Sequence, residues 1–158
     1  MFDVIVEFPK MKVAVKTRGD QVVEIRDLPP SSSVVSPKNA LAARAAEQLE
    51  RFRENPDATF DLPFVMEGDA LQRAVWSAMR AIPRGRTRTY GEVARELKAD
   101  PRDIGQACGD NRLPIVIPCH RVVAADGIGG FGHATGGYLL EAKRWLLMHE
   151  APAFELRP

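Results

Sequence analysis

The sequence predicts an α+β protein: a small N-terminal antiparallel sheet with one helix, then a mainly helical domain containing a helix-turn-helix. Three observations carry this. The first 28 residues hold three short runs rich in Val and Ile, "DVIVEF", "MKVAVKTR" and "QVVEIRDL", with "RGDQ" as hairpin punctuation between the last two. A single stretch, "KNALAARAAEQLERFREN", then has the residue types of a helix of about four turns. Beyond it the strand signals stop, and capping signals follow one another closely.

Leu41, Ala45, Leu49 and Phe52 fall at helical spacing, so the N-terminal helix is expected to pack on the sheet. "NPDATFDLPFVMEG" is rich in turn formers and reads as a linker, which divides the chain into residues 1–64 and 65–158. In the second part Asp69 with Gln72 three residues later forms a capping box, and Leu71, Val75 and Met79 line one helical face. Thr89 with Glu92 repeats the box at the start of "TYGEVARELK". Asp100 then caps "PRDIGQACG", with Pro101 at its first position and Gly109 closing it. Two short helices a few residues apart have helix-turn-helix spacing, which serves DNA binding or plain packing. Within the second of them Gly105 leaves a position without a side chain, which suits close approach of a nucleic-acid groove or tight helix packing.

Composition bounds the function. The chain has 158 residues, 45% hydrophobic and 27% charged, as a folded protein does. No apolar run approaches the roughly 18 residues a membrane helix needs. "MFDVIVEFPK" has no basic leader before an apolar core, so a cytoplasmic protein is expected. The net charge is only +1, so a nucleic-acid partner would have to be held by a local basic patch.

The stretch "IVIPCHRVVAADG" raises the chemical question. A cysteine reacts as its thiolate, and an imidazole or cation nearby favours that form. Cys119 is followed directly by His120 and Arg121, and Pro118 interrupts the strand that would send thiol and imidazole to opposite faces. The alternative is a buried structural cysteine beside an unrelated histidine. Metal binding is not expected, because the two cysteines and three histidines show neither C-x-x-C nor H-x-x-x-H spacing. A cysteine protease would want an oriented histidine, an oxyanion hole and usually a longer chain. A helix-turn-helix regulator with a redox-sensing thiol would need major-groove contacts that the short, glycine-bearing helix hardly offers.

"NRLPIVIPCHRVV", with an asparagine eight residues before the cysteine, resembles the active-site signature of the O6-alkylguanine-DNA alkyltransferases, the methylated-DNA–protein-cysteine methyltransferases. The resemblance continues through "IPRGRTRTYGEVA", "PRDIGQACGDN" and "AKRWLLMHE" and covers about residues 69–150. It implies a winged-helix-like second domain and a single-turnover, suicidal transfer. A damaged guanine is flipped from the duplex and its O6 alkyl group passes irreversibly to the protein's own cysteine, with O4-alkylthymine as a second candidate lesion.

Residue by residue, the resemblance implies Cys119 as acceptor, His120 as its base through a bound water, and Glu150 fixing the far side of the imidazole. Asn111 braces the turn, Tyr90 supplies the proton to the leaving oxygen, and Arg121 anchors the site. Arg102, seventeen residues before the cysteine, would enter the minor groove and fill the gap left by the base, with Gly105 permitting the approach. Arg86 and Arg88, in a cluster with Arg80 and Arg84, are candidate phosphate contacts or a solvated basic loop. The backbone carbonyls of Cys119 and Val122 would accept from the guanine amino group. Thr135, Gly136 and Gly137 in the lid would meet the guanine oxygen, and Lys143 is placed with them and Val122 among the substrate contacts. The expected partner is double-stranded DNA carrying alkylated guanine, bound by a monomer with no cofactor, no metal and no membrane. Two features depart from the pattern: Asp103 directly after Arg102, and a lid segment longer than in the shorter members. The main rival is a non-reacting, alkyltransferase-like lesion-binding module, which the presence of Cys119 opposes.

Overall fold

The computed structural model describes residues 1–151 as two compact units, Met1–Val65 and the chain from Met66 onward. The expected second domain runs to residue 158, so its last seven positions, 152–158, lie outside the described residues.

In the first unit β1 (Val4–Glu7), β2 (Lys12–Arg18) and β3 (Gln21–Leu28) form an antiparallel sheet in sequence order. Val4 pairs with Val15 and Val15 with Ile25, and a register shift at Lys16/Thr17 precedes the turn at Gly19, whose φ is +62°. Glycine suits that turn because a side chain there would be strained. The central strand is buried from Lys12 through Val15, since it has a neighbour on each edge and a helix above it. That helix, α1 (Ala40–Glu54), starts where Asn39 accepts the backbone N–H of Ala42 at 2.8 Å. Ala45, Leu49 and Phe52 are buried as their spacing predicts, while Leu41 is half-buried in the first turn.

The second unit begins with α2 (Ala70–Arg80), and both halves of the Asp69/Gln72 capping box are made. Val75 and Met79 are buried, and so is Trp76, whose indole N–H donates to the carbonyl of Ala107 at 2.9 Å. This bond pins α2 to the later helix α4 (Pro101–Gly109). A two-residue strand, β4 (Arg88–Thr89), leads into α3 (Tyr90–Leu97), again through a complete capping box. Lys98 ends α3 in the left-handed conformation, φ 55°. Asp100 then accepts from the N–H of Arg102 and opens α4 with Pro101 inside it. So α3 and α4 form the helix-turn-helix, packed on each other and on α2. A short 3-10 turn (Cys119–Arg121) follows, then β5 (Val122–Val123), parallel to β4, and finally α5 (Gly137–Glu150). Among the described residues no helix is long and apolar enough to cross a membrane.

Candidate active site

The segment between α4 and the 3-10 turn is held from inside by Asn111. Its amide donates to the carbonyl of Ile117 at 2.8 Å and accepts the N–H of Leu113 at 2.9 Å. Between them Ile115 is buried at φ 75°, a conformation that β-branched residues avoid and that only an over-determined loop maintains. Pro118 then starts the turn, with the Arg121 N–H bonded to its carbonyl at 3.0 Å.

That 3.0 Å bond closes one tight turn around Cys119 and His120, so the strand geometry that would separate them never forms. Cys119 is 6% exposed and His120 is fully buried.

Glu150, the last residue of α5, meets the two residues that follow Cys119. His120 Nε2 lies 2.8 Å from its Oε1, and Arg121 reaches it twice, Nη2 to Oε2 at 2.7 Å and Nε to Oε1 at 3.1 Å. Arg121 also donates to the carbonyl of Ile82 at 2.7 Å, tying the end of α2 into the same knot. Burial pushes the Glu150 carboxyl up, but its bonds and charges with His120 and Arg121 outweigh this and hold it down at about 2. Burial lowers the His120 pKa, against the upward pull of Glu150. At neutral pH the pair is therefore a neutral imidazole and a carboxylate, with Nε2–H donating. That fixes the tautomer and leaves the buried Nδ1, which makes no hydrogen bond within the described residues, as the basic nitrogen.

Cys119 opens onto a cleft of about 380 Å³, walled by Tyr90, by Arg102, Gly105 and Cys108 of α4, and by Gly130, Phe131, His133 and Thr135 of the lid. Burial, then the charges of Cys108 and Cys119, push the Tyr90 phenol well above its ordinary range, so it remains a proton donor. Its hydroxyl lies 3.4 Å from the carbonyl of Gly130. Arg102 has a side chain 91% exposed, held by Asp100 at 3.2 Å. A Cβ on Gly105 would meet nothing within 4 Å, which decides against tight helix packing as the reason for this glycine. Asp103 is exposed in the first turn of the same helix.

Other sequence-predicted residues stand elsewhere. Lys143, expected among the substrate contacts, is fully buried behind the cleft; its Nζ donates to the carbonyls of Val122 at 2.8 Å and Gly130 at 2.9 Å. Burial lowers its pKa to about 8, against the pull of Cys119 and Cys108. Val122 is buried outside the cleft lining, and its carbonyl already accepts from Lys143; the Cys119 carbonyl accepts from the Val122 N–H. Each carbonyl retains a second lone pair. Thr135 faces the cleft, whereas Gly136 is the N-cap of α5. Arg86 and Arg88 line a different cleft with Ile82, Pro83 and Glu96, and Arg88 is paired with Glu96 at 3.2 Å. Sequence reasoning passes over Cys108 as a cleft residue, although its spacing from Pro101 and Gly105 puts all three on one face of α4.

A cysteine opening onto a cleft beside a helix-turn-helix defines a narrow class, helix-turn-helix proteins with a thiol site. Comparison with known proteins places the chain within it. Residues 70–152 match the DNA-binding domain of 6-O-methylguanine DNA methyltransferase, and the chain belongs to that family. It is 41% identical over 111 residues to a methylated-DNA–protein-cysteine methyltransferase of Mycolicibacterium paratuberculosis, a match covering 68% of this chain and 64% of that protein. Against the protein of that name from Methanosarcina acetivorans it is 40% identical over 109 residues, 67% of each chain. Among solved structures, the O6-methylguanine methyltransferase of Mycobacterium tuberculosis superposes with a TM-score of 0.78 at 28% identity, covering 98% of this chain and 96% of that one. A structure of the Mycobacterium tuberculosis protein in complex with DNA superposes with a TM-score of 0.74 at 30% identity, covering 94% of each chain.

Proposed function

We propose that this chain repairs DNA by direct reversal: it receives an O6-alkylguanine extruded from duplex DNA and transfers the alkyl group to Cys119. The observation that carries the reading is the Cys119–His120–Glu150 arrangement opening onto a cleft bordered by α4. His120 Nδ1 takes the thiol proton through a bound water, and Glu150 stabilises the imidazolium that forms. The thiolate attacks the alkyl carbon; the S–C bond forms as the C–O bond to guanine breaks. Tyr90 donates a proton to the departing guanine and is reprotonated by the proton that left the thiol, so guanine departs neutral and the protein retains a thioether. No group in the site is suited to cleave that thioether, so each molecule reacts once.

Arg102, exposed at the cleft rim, is the residue proposed to fill the gap left by the extruded base from the minor groove, and Gly105 leaves room for the backbone to come close. The second unit therefore carries both DNA binding and reaction. Arg86 is the stronger candidate for a phosphate contact, because Arg88 is engaged by Glu96. The acceptor needs a free thiol, and both cysteines are free, which suits the reducing cytoplasm.

The test is mass spectrometry after incubation with a duplex carrying one O6-methylguanine. A single added methyl per molecule, on the peptide containing Cys119, is the expected result. Binding of the duplex with the thiol unchanged would instead make the chain a non-reacting lesion binder. Tyr90→Phe keeps the ring and removes the proton donor, so single-turnover transfer should slow by about 10²-fold with duplex affinity retained. Quenched-flow measurement at saturating duplex checks this.

A further inference from the structure

We infer that His133 is a positioning residue for this reaction, latching the lid to the end of α4 and so fixing the roof of the cleft that receives the base. The inference rests on the reading of Cys119 as alkyl acceptor. Phe131 and Ala134 exchange backbone hydrogen bonds at 3.0 and 2.9 Å, and the two residues between them, Gly132 and His133, have φ of 56° and 68°. Positive φ at both central positions is the type I′ pattern, where Gly, Asn and Asp are the inexpensive residues. Histidine there has a conformational cost that its side chain must offset.

The imidazole supplies the compensation. Nε2 lies 3.0 Å from Oδ1 of Asp110, the C-cap residue of α4. The other carboxylate oxygen, Oδ2, accepts from the Gln72 side chain at 3.2 Å, and Gln72 is the third residue of α2, held by its capping box. The ring also occupies the space beside Gly109: a Cβ at that glycine would fall 2.3 to 2.7 Å from three of its atoms. The helix therefore ends on a glycine for the sake of the imidazole. The lid is anchored at its other end as well, where Lys143 donates to the Gly130 carbonyl at 2.9 Å. Phe131, between these anchors, and His133 itself face the cleft that holds Cys119 and Tyr90. Releasing the His133 anchor loosens that wall and leaves the thiol relay untouched.

Two variants separate the latch from the turn. His133→Asn suits a positive φ but is too short to reach Asp110, and Gly109→Ala keeps the histidine while evicting its ring. Each is measured against the whole protein by amide hydrogen exchange of residues 128–136 and by alkylation of Cys119, using both the O6-methylguanine duplex and the free base O6-benzylguanine. The expected result is faster exchange across the lid in both variants. Half-saturating concentrations of both substrates should rise about fivefold, as for the loss of one side-chain hydrogen bond worth about 1 kcal/mol, with the limiting rate unchanged. Unchanged exchange and half-saturation in both variants would overturn the latch, as would a lower half-saturating concentration, which would make His133 an obstruction. Absence of any adduct on wild-type Cys119 would overturn the alkyl-acceptor reading instead, and the exchange data would still decide the latch.

Discussion

Cys119→Ser is expected to bind the lesion-bearing duplex and leave the lesion in place. The substitution preserves shape within one atom at a position only 6% exposed, so the turn braced by Asn111 should survive at a cost of about 1 kcal/mol for the buried hydroxyl. The chemistry does not survive. An alkyl ether carbon is a poor electrophile and requires a thiolate, and a serine hydroxyl is far less acidic than a thiol, so beside His120 it stays protonated. Transfer should therefore be undetectable by intact mass over times in which the wild type is fully alkylated, while a gel-shift assay shows affinity close to that of the unreacted wild type. Methyl loss from the DNA despite the substitution would point to a second acceptor. Cys108 borders the same cleft, but burial and then Cys119 push its thiol up to about 12, so it is held in its unreactive form.

The sequence discloses what is set by short-range chemistry. Both capping boxes, the Asp100–Pro101 helix start and the turn at Gly19 are written within a few residues, and each forms as read. The thiol and imidazole are adjacent in sequence, and Pro118 already argues against an extended strand through them. What stays hidden depends on partners distant in sequence. The β4–β5 pair is two residues long on each side, too short for any periodicity, and exists because Arg88 and Val122 are brought together by the packing around them. Lys143 resembles an ordinary helical lysine in sequence, and only the fold shows that two backbone carbonyls solvate it in place of water. Gly109 reads as a helix stop, yet its C-cap neighbour Asp110 is right-handed and the glycine is needed for space. Arg88 joins the basic cluster by composition, and the structure shows that Glu96 partly neutralises it.

Glu150→Gln should slow alkyl transfer by about 10³- to 10⁴-fold, as when the carboxylate that orients a catalytic histidine becomes an amide. The carboxylate accepts from His120 Nε2 and from Arg121 together. A glutamine oxygen can serve only part of that set and carries no charge to stabilise the imidazolium formed when the thiol ionises. The same change should alter stability in a pH-dependent way. Glu150 is held at about 2 in the folded protein against an ordinary 4.5, so its contribution is complete above 4.5 and is lost as pH falls toward 2. That shift corresponds to about 3 kcal/mol near neutral pH, and its carboxyl side chain is only 2% exposed, so solvent screens little of it. His120 works in the same direction: its folded pKa lies below 6.5, so the unfolded chain takes up a proton first and stability begins to fall below 6.5. Denaturant titrations from pH 7 to pH 3 should show the wild type losing stability in both windows. The variant should be weaker throughout and lack the Glu150-dependent loss below 4.5, so the gap between the two curves narrows as the pH approaches 3. A gap between them that stays constant with pH would mean that the His120–Glu150–Arg121 cluster contributes packing rather than charge.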